Sequence, residues 1–159
     1  MNSSDPAIVG VIIVLILLSA FFSSAETALT TVNKIKIMTL AEEGNRRAST
    51  LLKVIENPGK MLGAILIGNN IVNLFASSLT TTLALHIFIS IGVSVCTGIL
   101  TLVILIFGEI SPKTLAASYA EKLALAYAGV IYGLMTIMTP FIFVTNKLSH
   151  LFLKLFHID

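Results

Sequence analysis

The residues from Met61 to Gly108 contain no Asp, Glu, Lys or Arg, and this 48-residue run is the feature that most restricts how the chain folds. Because a transmembrane helix needs about 20 apolar residues, the run has room for two crossings. Similar runs extend from Pro6 to Ala25 (20 residues) and from Leu123 to Asn146 (24 residues). With 56% hydrophobic residues and a mean hydropathy of +0.98, the sequence predicts a membrane protein with three or four spans.

Most of the positive charge lies in one segment. Six of the ten basic residues fall between Glu26 and Lys60. Because loops rich in Lys and Arg stay on the cytoplasmic side, we expect this segment to be cytoplasmic and the N-terminus to be outside. We place the spans at about 6–26, 61–85 and 90–118, with short amphipathic cytoplasmic helices in 27–60. The predicted fold class is therefore an all-α integral membrane protein.

The last apolar run, Leu123 to Asn146, has two interpretations. It is long enough for a fourth crossing, which would leave Lys147 and Lys154 outside. Pro140 interrupts it and several tyrosines and threonines give it a polar side, so it also fits a broken helix along the cytoplasmic face. The positive charges favour the second interpretation, although the length of the run permits the first.

Several functional classes find no support in the sequence. Cys96 is the single cysteine, so no intrachain disulfide or cysteine-rich metal site is expected. With a net charge of +2 and no basic cluster among aromatic residues, we expect no nucleic-acid partner. No nucleophile and base pair can be assembled, so we expect no enzymatic activity. The first apolar run resembles a signal peptide, but the preceding MNSSDP lacks the basic residues of one.

The strongest candidate for a functional residue is Glu109, which ends the long charge-free run. An ionisable side chain inside a span costs roughly 2.5 to 3.5 kcal/mol on insertion scales, so it usually faces the bundle interior and serves an ion or substrate path. Pro112 cannot donate a backbone hydrogen bond, which frees the carbonyl of Gly108 beside this carboxylate. The alternative is that Glu109 lies at the helix end and reaches water.

Further oxygen ligands are expected from the first two spans. In GNNIVN, Asn69 and Asn73 lie four residues apart on one helical face, and Asn70 precedes Asn73 by three. FFSSAE ends the first span with Ser23 and Ser24. Taken singly, such residues are also explained by packing, because serines bond back to their own helix and asparagines bond neighbouring helices. Together with Glu109, we expect them to form one cluster in the inner half of the membrane.

The expected ligands are hydroxyl, amide, carbonyl and carboxylate oxygens. Such hard ligands suit Mg²⁺, Ca²⁺ or Na⁺ and disfavour zinc and copper. The three histidines are scattered along the chain, and we do not expect them to bind a metal. The residue types therefore predict a site for a hard cation without selecting the ion.

Three motifs carry a resemblance to a known family. They are FFSSAETAL (Phe21 to Leu29), GNNIVN (Gly68 to Asn73) and FGEISPKTLA (Phe107 to Ala116). They look like the transmembrane domain of the CorC and CNNM proteins, which are implicated in magnesium export with sodium influx. The motifs lie at the end of the first span, in the second and at the end of the third, so the resemblance covers nearly the whole chain.

The resemblance implies a homodimer with three spans per subunit in the inner or plasma membrane, and a juxtamembrane helix over 121–157 on the cytoplasmic face. It implies Mg²⁺ as the transported ion, with Na⁺ as the coupled ion. The implied ligands are Ser23, Asn69, Asn73, Gly108 and Glu109. Ser24 and Asn70 are added from the local sequence. Family members normally continue into cytoplasmic CBS domains that bind ATP with magnesium, so we expect this chain to be an isolated membrane domain.

The expected function is magnesium export across the membrane, coupled to sodium influx, with the break at Pro112 acting as a hinge or a binding element during alternating access. The rival hypothesis is a sensor of Mg²⁺ that anchors and dimerises cytoplasmic regulatory domains without transport. A channel is disfavoured, because a fully liganded and dehydrated ion leaves slowly.

Overall fold

The computed structural model describes residues 5–87 and 91–158, and all regular structure in these two ranges is helical, as the sequence predicts. The elements are α1 (Asp5–Thr31), α2 (Lys34–Glu42), α3 (Arg46–Ile55), α4 (Pro58–Ile87), α5 (Ile91–Leu105), a π-helix (Ile106–Ile110), α6 (Ser111–Ser118), α7 (Ala120–Ile137) and α8 (Thr139–Leu155).

Four stretches in the described residues are helical, long and apolar enough to cross a membrane: Pro6–Thr31, Pro58–Leu85, Thr97–Ser118 and Ala120–Ile137. The prediction of a multi-pass membrane protein is thereby confirmed. The fourth stretch has the lowest hydropathy, 1.2 compared with 2.7 for the first, and it belongs to the segment with two interpretations. The division into three spans and a juxtamembrane helix stays a prediction.

Two predicted segments can be compared with the helices of the structure. His86, near which the sequence predicts an outside turn, is still helical in α4, and the predicted start of the third span at Ser90 lies outside the described residues. The segment predicted as a helix over 121–157 is divided at Met138 into α7 and α8. Pro140 lies in the first turn of α8, where its missing N–H leaves no helical hydrogen bond unmade.

The chain forms two compact units. The first comprises Met1–Val32 and Leu66–Ala124, of which the described residues include α1, most of α4, α5, the π-helix and α6. The second comprises Asn33–Ile65 and Leu125–Asp159, with α2, α3, the start of α4, most of α7 and α8.

In the first unit, α1 lies close to α4, the π-helix and α6. The ring of Phe22 rests against Gly68, where an added Cβ would lie 2.5 Å from its Cζ, so only glycine permits this approach. One turn away, Ser19 bonds to Asn73. As α1 advances from residue 19 to 22, its partner in α4 falls from residue 73 to 68, so the two helices are antiparallel.

In the second unit, α2 and α3 form a short helical hairpin. Gly44 adopts a φ of +94° in the connection, a left-handed conformation that glycine tolerates best. Asn45 then caps α3, since its side chain accepts a hydrogen bond from the Ala48 N–H at 3.1 Å. The helix buries Ala48, Leu51 and Val54 and leaves its basic residues exposed.

Candidate functional site

Glu109 lies in the π-helix, beside a backbone that departs from the α-helical pattern. The Ser111 N–H donates to the Ile106 carbonyl five residues earlier, whereas an α-helix would use the fourth. Pro112 has no N–H, so it cannot donate to the Gly108 carbonyl. That carbonyl oxygen accepts a hydrogen bond from Ser19 Oγ at 3.4 Å. The irregular backbone before Pro112 therefore presents the Gly108 carbonyl oxygen to α1.

Asn73 connects the π-helix to the rest of the site. Its Nδ2 donates a hydrogen bond of 3.2 Å to Glu109 Oε1, while its Oδ1 accepts one of 2.9 Å from Ser19 Oγ. Both Asn73 and Glu109 are half-buried, whereas Ser19 is fully buried. One amide from α4 thus joins a hydroxyl from α1 to the carboxylate, and all of these groups belong to the first unit.

Gly108 lets the two chain segments come this close. A Cβ built at this position would lie 3.2 Å from Ser19 Oγ and 3.4 Å from Ser19 Cβ. Any larger residue would push α1 away from the π-helix or turn the Ser19 hydroxyl aside. The glycine therefore sets the distance between the carbonyl oxygen and α1, as well as supplying that oxygen.

Two predicted ligands have buried oxygens without a hydrogen-bond partner. Among the described residues, neither Ser23 Oγ nor Asn69 Oδ1 has such a partner. Ser23 lies four residues after Ser19 on α1, and Asn69 lies four residues before Asn73 on the antiparallel α4. Both therefore lie at the same level, about 6 Å along the helices from the bonded pair. A buried polar group that makes no hydrogen bond costs about 1 to 3 kcal/mol, so a ligand that bonded to these oxygens would remove that cost.

The structure gives different surroundings to the other two predicted ligands. Ser24 is 4% exposed, and its Oγ donates to the Phe21 carbonyl at 3.0 Å, a bond within its own helix. Asn70 is exposed on the side of α4 away from the buried residues.

The sequence prediction did not include Ser19, which makes two of the hydrogen bonds in the site. It is the only hydroxyl residue between Pro6 and Phe22, and it precedes Ser23 by one helical turn. A lone polar residue in a transmembrane run, on the same face as a suspected ligand, is a signal that would have identified it.

The electrostatics of the site are simple. Glu109 contributes its single formal negative charge, and the other described groups are neutral oxygens. No three His, Cys, Asp or Glu side chains in the described part of the chain lie close enough together to hold a metal ion. Hydroxyl, amide, carbonyl and carboxylate oxygens are ligands of the kind that hard cations prefer.

Comparison with known proteins places the chain in a wider group. It is 36% identical over 138 residues to the Escherichia coli K12 protein named UPF0053 inner membrane protein YfjD. The aligned region covers 87% of this chain and 32% of that relative. It is 39% identical over 136 residues to a Haemophilus influenzae UPF0053 protein, with 86% and 32% covered. A second Haemophilus relative, 29% identical over 162 residues with 93% and 37% covered, is named polyamine export protein.

The chain spans about a third of the length of these relatives. The family model for CNNM, described as the cyclin M transmembrane N-terminal domain, matches residues 10–158. That range contains the three motifs and most of both compact units, so the resemblance seen in the sequence is confirmed. The chain therefore belongs to the CNNM family, whose transmembrane N-terminal domain it matches.

Proposed function

We propose that this chain is the ion-binding membrane domain of a transporter that exports Mg²⁺. The observation that carries this proposal is the pair of unpartnered buried oxygens, Ser23 Oγ and Asn69 Oδ1, next to the bonded group that contains Glu109. A cation held there would give both oxygens a partner and would bring a positive charge to the carboxylate.

The chemistry of the surrounding atoms supports Mg²⁺ as the substrate. The groups that would hold it are two serine hydroxyls, two asparagine amides, one backbone carbonyl and one carboxylate: Ser19, Ser23, Asn69, Asn73, Gly108 and Glu109. All are hard oxygen ligands of the kind that Mg²⁺ prefers. In this proposal the protein oxygens replace water around the ion, and Glu109 offsets part of its charge.

The proposal includes an architecture and an energy source. Two copies of the chain assemble as a homodimer, each with three spans and an outside N-terminus, and α7 and α8 lie along the cytoplasmic face. The inward movement of Na⁺ drives the outward movement of Mg²⁺. The irregular backbone between Gly108 and Pro112 supplies the bending point, because freed carbonyls and broken helices serve this purpose in other transporters.

Flux in liposomes tests this function. Vesicles that contain the chain and a Mg²⁺-sensitive dye are measured with and without an opposing Na⁺ gradient, beside vesicles with the Glu109→Gln variant. Export predicts Na⁺-dependent Mg²⁺ movement that the variant lacks. Mg²⁺ binding without any flux would instead support the sensor and dimerisation anchor as the function of this chain.

A protonated amine is the second candidate substrate. The Haemophilus relative named for polyamine export is similar over 93% of this chain. Carboxylate, amide and hydroxyl oxygens also accept hydrogen bonds from an ammonium group. Radiolabelled putrescine in the same vesicles distinguishes the two, since a polyamine exporter would move putrescine and a magnesium exporter would not.

A further inference from the structure

A second polar feature lies in the second unit, on residues that do not belong to the proposed ion site. A groove of about 410 Å³ runs between the start of α3 and the first half of α7. Arg46, Arg47 and Thr50 line it from α3, and Ala126, Gly129 and Val130 line it from α7. Its volume falls within the range of about 300 to 1,000 Å³ that is usual for small-molecule sites.

The charged side of the groove lacks a partner for its positive charge. Arg46 and Arg47 are exposed, and no carboxylate in the described residues lies within 4.0 Å of either guanidinium. Both residues lie in the first turn of α3, where the helix dipole already favours negative charge over positive. The local electrostatics therefore favour an anion at this end of the groove.

The opposite side of the groove is apolar and open. Val130 is 55% exposed, and a Cβ added to Gly129 would meet no atom within 4 Å. One turn further along both helices, the Lys53 ammonium lies 5.8 Å from the centre of the Tyr132 ring. Tyrosine and lysine in this arrangement are typical of the boundary between a bilayer and water. The groove thus joins a cationic end to an apolar surface.

We propose that this groove binds an anionic phospholipid of the surrounding bilayer, with the headgroup phosphate between Arg46 and Arg47 and an acyl chain along Gly129 and Val130. Because a charged side chain is costly in the hydrocarbon, the two arginines of α3 would lie at the membrane surface, at the level of the headgroups. A soluble anion would use the arginines but not the apolar side, whereas a phospholipid uses both. The proposal does not depend on which ion the domain transports.

Native mass spectrometry of the purified chain tests the site directly. The chain in detergent is titrated with dioleoyl-phosphatidylglycerol or dioleoyl-phosphatidylcholine, and the bound lipids are counted. We expect selective retention of phosphatidylglycerol, reduced by at least about tenfold in the Arg46→Gln/Arg47→Gln variant, since each basic residue near an anionic headgroup contributes to binding. The charge-matched control, Lys34→Gln/Lys147→Gln, changes two exposed lysines outside the groove and should retain the lipid.

A second variant tests the apolar side. Gly129→Leu fills the groove and keeps both arginines, so we expect it to lose the lipid as well. Equal retention by the double arginine variant, or equal loss by the lysine control, would overturn the proposal. Inorganic phosphate that competes with the lipid in the parent chain but binds unchanged to Gly129→Leu would assign a soluble anion instead. A shift from dimer to monomer in the arginine variant, without loss of lipid, would assign the groove to a second copy of the chain.

Discussion

Asn73 Nδ2 lies 3.2 Å from Glu109 Oε1, so the amide of α4 donates a hydrogen bond to the only carboxylate in the candidate site. The same amide accepts from Ser19 through its oxygen at 2.9 Å. In this arrangement the site groups satisfy one another. A cation would compete with both hydrogen bonds, because it needs the Asn73 oxygen and the Glu109 carboxylate for itself. Ion binding should therefore change the contacts between α1, α4 and the π-helix.

Replacing Ser19 tests the connection from α1. Ser19→Ala removes the hydroxyl whose single proton is shared between Asn73 Oδ1 and the Gly108 carbonyl. We therefore expect Mg²⁺ affinity to fall by about tenfold, since such a group contributes about 0.5 to 1.5 kcal/mol. Ser24→Ala is the matched control in the same helix, because the Ser24 hydroxyl bonds to the Phe21 carbonyl of its own turn. Isothermal titration of both variants makes the comparison. Equal affinities would mean that Ser19 only packs the helices.

Variants of the neighbouring residues Asn69 and Asn70 compare a proposed ligand with an exposed residue of the same helix. We expect Asn69→Ala to weaken Mg²⁺ binding by about tenfold or more, since an amide oxygen that the ion would use is lost. Its thermal stability should change little, because the oxygen has no hydrogen bond among the described residues. Asn70→Ala should bind normally, as Asn70 is exposed. The reverse ranking in titrations would place the ion on the other face of α4.

A methyl group added at Gly108 tests its close contact with Ser19. In Gly108→Ala the new Cβ would meet Ser19 Oγ at 3.2 Å, so the hydroxyl must turn or α1 must move. We expect Mg²⁺ affinity to fall by about tenfold while the chain stays folded. Gly98→Ala on α5 is the control, because its Cβ would meet no atom within 4 Å. Titration of both variants measures the loss of Mg²⁺ binding, and thermal unfolding shows whether the fold is kept. Unchanged binding in Gly108→Ala would contradict the role given to the contact between Gly108 and Ser19.

Much of the architecture could be predicted because the membrane restricts it. Charge-free runs, the basic segment and Pro140 indicated the helices, since unsatisfied backbone groups are excluded from lipid and proline interrupts a helix. The number of crossings could not be decided, because α7 combines moderate hydropathy with a polar side. The site was harder to predict. Asn69 and Asn73 follow from helical spacing, and Gly108 from the position of Pro112.

Helical spacing alone does not predict every residue of the site, as three residues show: Ser19, Ser24 and Asn70. Ser24 and Asn70 lie next to residues of the site in sequence, but a helix turns about 100° per residue and directs neighbours elsewhere. Ser19 lies one turn from Ser23, so its place on the same face of α1 follows from helical spacing, but its contact with Gly108 depends on the packing of α1 against the π-helix. The surroundings of these three residues are thus decided by helix rotation and packing.

Mg²⁺ binding by the Glu109→Gln variant, measured by calorimetry, tests the central claim most directly. The substitution removes the only formal charge of the site and keeps the size of the side chain, and Glu56→Gln on the exposed end of α3 is the control. We predict that Glu109→Gln lowers Mg²⁺ affinity by at least about 100-fold, because the substitution removes the negative charge that attracts the ion, while circular dichroism shows an unchanged helix content. Equal affinity in Glu109→Gln and the parent chain would contradict the account.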